Sequence, residues 1–208
     1  MPTAESKPAD VPDAVAQRVS RETLERLRAY VALLQRWTRV INLISPADQA
    51  HIWTRHVQDS LHLVPLIPAS ADRGIDLGSG GGLPGLVLAL ATGLPFDLVE
   101  SDRRKAAFLQ EAARATGAPV QVHCARIEAA SVPPAPLVTA RALAPLPRLL
   151  VLAAPLLRPG GVCLFAKGEQ AEQEIAQASD AWRMRVERFP APGRPGSVTL
   201  RISELAHA

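Results

Sequence analysis

The chain has 208 residues, of which 48% are apolar and 21% charged, enough for one sizeable domain with a packed core and too apolar for a disordered chain. No window reaches about 18 uninterrupted apolar residues, and the opening stretch MPTAESKPADVPDA has neither a basic nor an apolar leader region, so a cytoplasmic protein without membrane insertion is expected. The net charge of +3 is spread along the chain, so charge alone gives only weak support for a polyanionic partner.

Residues 1–12 contain three prolines and little apolar material and are expected to form a loose tail. From Asp13 the pattern turns helical, with Val15, Val19, Leu24, Leu27, Val31, Leu34 and Ile41 recurring at helical spacing. Ser45-Pro46-Ala47-Asp48 supplies an N-cap serine, a proline at the first helical position and an acid in the first turn, so another helix starts there. The expected organisation is a helical N-terminal subdomain over residues 13–70, followed by a second unit over residues 71–208.

In that second unit short apolar runs alternate with helical stretches. Strands are expected at Gly74–Leu77, Phe96–Glu100, Val120–Cys124, Leu137–Ala140 and Val162–Ala166, with helices at Leu83–Ala91, Arg103–Thr116 and Pro147–Leu157 between them. The alternation argues for an α/β fold with a mostly parallel, doubly wound, Rossmann-like sheet. Met184–Phe189 and Ser197–Ile202 flank a Pro- and Gly-rich connection and suit an antiparallel pair at one edge.

The stretch Gly74-Ile-Asp-Leu-Gly-Ser-Gly-Gly-Gly-Leu-Pro-Gly85 reads as a strand that enters a glycine loop and then a helix. Gly78, Gly80 and Gly82 can adopt φ > 0 and let the backbone approach a nucleotide closely. The loop satisfies both a dinucleotide fingerprint, with Glu100 at the expected distance, and the Asp76-x-Gly78-x-Gly80-x-Gly82 form of S-adenosylmethionine-dependent methyltransferases. A carboxylate at Asp76 would repel a pyrophosphate and attract the cationic methyl donor, which favours the second reading. Glu100, ending the second strand, suits the ribose hydroxyls of that donor. Ala125 to Glu128, after the third strand, suits an adenine edge.

No Asn/Asp-Pro-Pro-aromatic tetrad follows the fourth strand, which disfavours methylation of an exocyclic amine. Cys124 and Cys163 sit in unremarkable strand contexts, which disfavours a covalent pyrimidine mechanism, and no Cys or His spacing suits a metal. A ring nitrogen such as guanine N7 needs only alignment and a dry pocket, and Arg141 could present a bidentate or stacking face to it. Arg55 and Asp59 are four residues apart, so an ordinary helical ion pair explains them without function.

Taken together, Arg55-His56-x-x-Asp59-Ser60, the Asp76 to Gly85 loop, Arg141-Ala142 and Lys167-Gly168 resemble the RsmG family, also called glucose-inhibited division protein B. The resemblance implies a class I methyltransferase fold with a helical N-terminal extension. It also implies S-adenosylmethionine as donor and guanine N7 of bacterial 16S rRNA as acceptor; separately, no exposed apolar seam stands out in the sequence, so a monomer is the simplest expectation. Carried over by position, it assigns donor contacts to Gly78, Leu83, Ile127, Glu128 and Arg141, and the RNA side to Arg55, His56, Asp59 and Lys167. Asp76, Gly80, Gly82 and Glu100 complete the expected donor set, and Arg141 is expected to position the reacting base.

Overall fold

The computed structural model describes residues 11–192 and 196–208, so residues 1–10 of the expected tail and the middle of the Pro- and Gly-rich connection lie outside the described residues. Val11 already packs against the core, and Pro12 precedes α1 (Asp13–Ala16). The helical run then breaks. Ser20 takes extended dihedrals and its hydroxyl accepts the Thr23 N–H at 3.1 Å, starting α2 (Arg21–Thr38) afresh.

The Ser45 cap forms as its sequence demands, with Oγ accepting the Asp48 N–H at 3.2 Å. The segment it opens is not one regular helix: a 3-10 turn at Pro46–His51 and a π-helical turn at Trp53–Val57 lead into the short α3 (Gln58–Leu61). π-turns of this kind widen the local repeat from i→i+4 to i→i+5.

Beyond residue 73 the elements alternate as β1 (Gly74–Leu77), α4 (Gly85–Thr92), β2 (Phe96–Glu100), α5 (Arg103–Thr116), β3 (Val120–Cys124), β4 (Ala135–Arg141), α6 (Leu146–Ala153), β5 (Leu157–Lys167), α7 (Ala171–Ser179), β6 (Trp182–Pro190) and β7 (Val198–His207). They form a seven-stranded sheet in the order β3-β2-β1-β4-β5-β7-β6. β1 to β5 are parallel, and β7 pairs antiparallel with both β5 and β6. Parallel strands covered on both faces are mostly apolar, and all of β1 is buried, Asp76 included.

Alternate side chains feed two cores. Phe96 and Leu98 point to the layer built by α2, α4 and α5, whereas Ile75, Leu77 and Val99 point to the layer with Leu146, Leu150 and Trp182. The N-terminal helices complete the first layer: Leu27, Tyr30 and Leu34 of α2 are fully buried in it.

Several elements differ from the expected ones, α4, β5 and α7 most of all. α4 starts at Gly85 and not at Leu83, because the Gly82 and Leu83 N–H groups turn back onto the Ser79 carbonyl at 2.6 and 3.3 Å and belong to the loop. β5 begins at Leu157, taking in the Pro159-Gly160-Gly161 segment through an irregularity in its pairing with β4. α7 has no counterpart among the expected helices: its inward face is Ala171, Ile175 and Ala178, one large apolar side chain between two small ones and a weak periodic signal.

Candidate active site

The sheet reverses its winding between β1 and β4, and a crevice opens there at the carboxyl ends of the strands, where open α/β sheets bind ligands. Two cavities occupy it. The first, about 390 Å³, is lined by Gly78 and Gly80, by Glu100 and Ser101 after β2, by Lys105 of α5, by Ala125 to Glu128 after β3, and by Ala142 to Ala144 after β4.

Gly78 and Gly80 have φ of +63° and +52°, which L side chains rarely adopt. A Cβ on Gly78 would stand 2.6 Å from Leu143 Cδ1, so the loop closes on the far wall only because no side chain intervenes. The Ser79 N–H reaches the Val99 carbonyl at 3.1 Å, and Glu100 braces the next residue: its Oε2 accepts the Gly80 N–H at 2.8 Å and its Oε1 the Asp102 N–H at 2.8 Å. A carboxylate has about four acceptor positions, so each oxygen keeps one for a ligand hydroxyl.

Asp76, Gly82 and Leu83 do not line either cavity. Asp76 is completely buried beneath the loop, where Thr139 Oγ1 donates to its Oδ1 at 2.7 Å and a Cβ on Gly85 would meet its Cβ at 2.5 Å. Burial pushes its pKa up to about 6, against the opposing pull of the Thr139 and Ser79 hydroxyls and the Gly85 N–H. Its carboxylate therefore meets the positive end of α4 from inside the protein, and the helix does not offer a free N-terminus to a ligand phosphate. Gly82, with φ of +84°, and Leu83 face the opposite way, into the core near Leu86, Leu109 and Tyr30.

Ile127 and Glu128 line the cavity from a 3-10 turn after β3, and Glu128 is ion-paired at the rim with Arg148 of α6 at 2.5 Å. Sequence reasoning misses Lys105 and Arg148. Lys105 carries a usable signal, since Asp102 caps α5 and so directs its first turn toward the carboxyl edge of the sheet.

The second cavity, about 410 Å³, adjoins the first across the shared residues Ala142, Leu143 and Ala144. Arg141, Asp59, Pro84, Lys167 and Glu174 contribute to its lining. Arg141 belongs to this cavity and not to the first; its Nη2 donates to the Arg55 carbonyl at 3.0 Å and lies 4.0 Å from Asp59 Oδ2. The expected Arg55–Asp59 pair does not form. The π-turn rotates the two apart, so that Arg55 pairs with Asp48 at 3.0 Å while Asp59 turns toward Arg141.

His56 is buried, with Nε2 3.9 Å from Asp48 Oδ2, and neither Arg55 nor His56 lines either of these two cavities. Lys167, expected on an RNA face, is held inside. Its Nζ donates to the Ala144 carbonyl at 2.7 Å and to Glu174 Oε2 at 2.6 Å, and the same Glu174 oxygen accepts the Leu146 N–H that opens α6.

Among the described residues no group of three or more His, Cys, Asp or Glu is placed to hold a metal ion, and no helix is long and apolar enough to cross a membrane. Cys163 is buried and its thiol pushed strongly upward by burial, while Cys124 is exposed at the end of β3.

Solved structures share this architecture. The ribosomal protein L11 methylase of Lactobacillus delbrueckii subsp. bulgaricus aligns with a TM-score of 0.60 and 16% identity over 72% of this chain and 78% of that one. The N-methyltransferase NodS of Bradyrhizobium japonicum, solved with S-adenosyl-L-homocysteine, aligns at 0.58 and 16% over 84% and 98%. The architecture is the class I S-adenosylmethionine-dependent methyltransferase fold, with a glycine loop after β1 and an acid, Glu100, ending β2.

A family model described as rRNA small subunit methyltransferase G matches residues 23–192. Curated relatives under that description are 58% identical in Acidiphilium cryptum, over 94% of this chain and 97% of the relative, and 54% identical in Rhodospirillum centenum, over 90% and 87%. The chain belongs to the rRNA small subunit methyltransferase G family.

Proposed function

We propose that the protein transfers the methyl group of S-adenosylmethionine to N7 of a guanine in 16S rRNA of the bacterial small subunit, acting in the cytoplasm as a monomer. The observation that carries the reading is the pair of adjoining cavities that share the Ala142 to Ala144 segment, one a cradle suited to the donor and the other lined by Arg141 and Asp59.

The first cavity suits the donor. Gly78 and Gly80 leave room for it, the free acceptor positions of Glu100 suit its ribose hydroxyls, and the Ile127–Glu128 turn suits its adenine edge. Bound there, S-adenosylmethionine supplies a methyl on a sulfonium, which the N7 lone pair accepts as the carbon–sulfur bond breaks and the neutral thioether leaves.

Guanine N7 carries no proton, so the protein needs no general base; it has to hold the acceptor in line and keep water out. Arg141 is fixed for that task by the Arg55 carbonyl and by Asp59, and can engage O6 of the base or stack on it. Asp59 and Lys167 complete the acceptor side, and Arg55 and His56 support it from behind through Asp48.

Incubation with methyl-labelled donor and either small subunits or deproteinised 16S rRNA, followed by nucleoside analysis, tests the reading. Label in 7-methylguanosine is expected. Label in another nucleoside or in protein, or donor binding without release of S-adenosylhomocysteine, would overturn it.

A further inference from the structure

Tyr30 lies in α2, outside the strands and helices that build the crevice, yet its hydroxyl donates to the carbonyl of Gly81, the middle residue of the glycine loop. The side chain is completely buried, and burial raises its pKa far beyond the usual phenol range, so it donates as a neutral hydroxyl throughout the working pH range. Its ring is fixed by Phe108 of α5, with centroids 6.4 Å apart at 41°.

The loop meets α2 at more than one atom. A Cβ on Gly81 would come within 3.3 Å of Leu34 Cδ1, and one on Gly82 within 3.5 Å of the Tyr30 oxygen. On its other side the loop is tied to β2 by Glu100 at Gly80 and by the Val99 carbonyl at Ser79. Gly80 and Gly82 on either side of Gly81 both have positive φ, so the backbone there has little intrinsic preference for this one path. Something must select it, and the two anchors do so from opposite faces.

We infer that Tyr30 is a positioning residue for the methyl donor: its hydroxyl, acting through the Gly81 carbonyl, fixes the glycine loop in its ligand-ready shape and makes helix α2 part of the donor site. The inference rests on the assignment of the glycine loop to S-adenosylmethionine and is independent of which RNA is methylated. It also requires reciprocity: if α2 shapes the loop, an occupied loop must stabilise the docking of α2.

Calorimetric titration of the Tyr30→Phe variant with S-adenosylmethionine is the test. The ring packing is kept and only the hydroxyl is lost, leaving the Gly81 carbonyl short of a buried donor. The expected result is about ten-fold weaker donor binding. In turnover, KM for the donor should rise by a similar factor while kcat at saturating donor and KM for the RNA stay within about two-fold.

Arg26→Ala is the control, because Arg26 anchors α2 to the Thr116 and Gly117 carbonyls away from the loop. It should lower thermal stability and leave donor affinity unchanged. Donor affinity unaltered in Tyr30→Phe, or weakened equally in Arg26→Ala, overturns the inference. Hydrogen exchange on the wild type stands without any variant: donor must slow the amides around Tyr30, and failure to do so overturns it as well. Wild-type protein that does not bind the donor at all would instead defeat the assignment of the loop.

Discussion

Glu100 offers the sharpest separation between bracing the fold and binding the donor. Its carboxylate accepts the Gly80 and Asp102 N–H groups, both at 2.8 Å, and the residue is only 7% exposed. In Glu100→Gln one carboxylate oxygen becomes an NH₂, which cannot accept, so one of these two bonds is lost and a donor is set against a donor. Hydrogen bonds to a charged group contribute about 1.5 to 3 kcal/mol, and a loss of about 2 kcal/mol corresponds to roughly thirty-fold in an equilibrium constant. If the cost falls on the loop, calorimetry should show donor binding weakened by about thirty-fold, with the midpoint of unfolding in urea lowered only modestly. Glu128→Gln, at the exposed rim and paired with Arg148, should change affinity by less than about three-fold. Donor affinity of Glu100→Gln within two-fold of wild type, with stability alone reduced, would show that Glu100 only holds the chain together.

The remaining expectations concern the loop and the wall. Asp76 has its pKa raised from 3.8 to about 6, so the folded state binds protons more readily than the unfolded chain between those values and its contribution to stability is lost as pH rises through that window, by about 3 kcal/mol. Urea unfolding from pH 4 to pH 7 should show wild type losing that amount relative to Asp76→Asn, and a constant difference would refute it. Gly78→Ala places a Cβ 2.6 Å from the flexible end of Leu143 at φ +63°; stability should fall by about 1 to 2 kcal/mol and donor binding by more than ten-fold, read by thermal unfolding and calorimetry. Lys167→Met leaves Glu174 without its buried cation and frees the Ala144 carbonyl, so stability should drop by about 3 kcal/mol and kcat more than donor affinity, with equal loss of both counting against a role in the wall.

The parallel sheet is legible in the sequence because its inner strands, Gly74–Leu77 and Phe96–Glu100, are short, almost wholly buried runs, and the edge strand Val120–Cys124 is marked by its alternating valines; all three begin and end where the residues suggest. α7 is not, since its inward stripe, Ala171, Ile175 and Ala178, carries one large apolar side chain among small ones and reads weakly. The site divides along the same line. Gly78, Gly80, Glu100, Ile127 and Glu128 sit on the cavity because strand ends and the loop after β1 have one place to go in this topology. Asp76 is expected from sequence to face the ligand, whereas its carboxylate lies under the loop. The alternation of side chains along β1 tells which face a residue takes, but not that a helix with glycine at its first position will settle directly on top of it. The Arg55 and Asp59 pairing fails for a related reason: i,i+4 spacing presumes an α-helix, and the chain is π-helical at that turn.

The wall between the cavities shows why a methyl transfer can rely on placement. Ala142 has φ of +50°, an uncommon value for a residue with a Cβ, and lies between Arg141, which faces one cavity, and Leu143, which closes against Gly78 in the other. Such a conformation persists only where the surroundings over-determine it. Here Lys167 grips the Ala144 carbonyl, and Glu174 joins that lysine to the first N–H of α6, so the end of β4, the start of α6 and the end of β5 are fastened at one point. Side chains on either side of this wall cannot shift independently, and a displacement of about 1 Å in a reacting group can cost on the order of a hundred-fold in rate. The buried Lys167 therefore fixes the backbone segment that the two cavities share, Ala142 to Ala144.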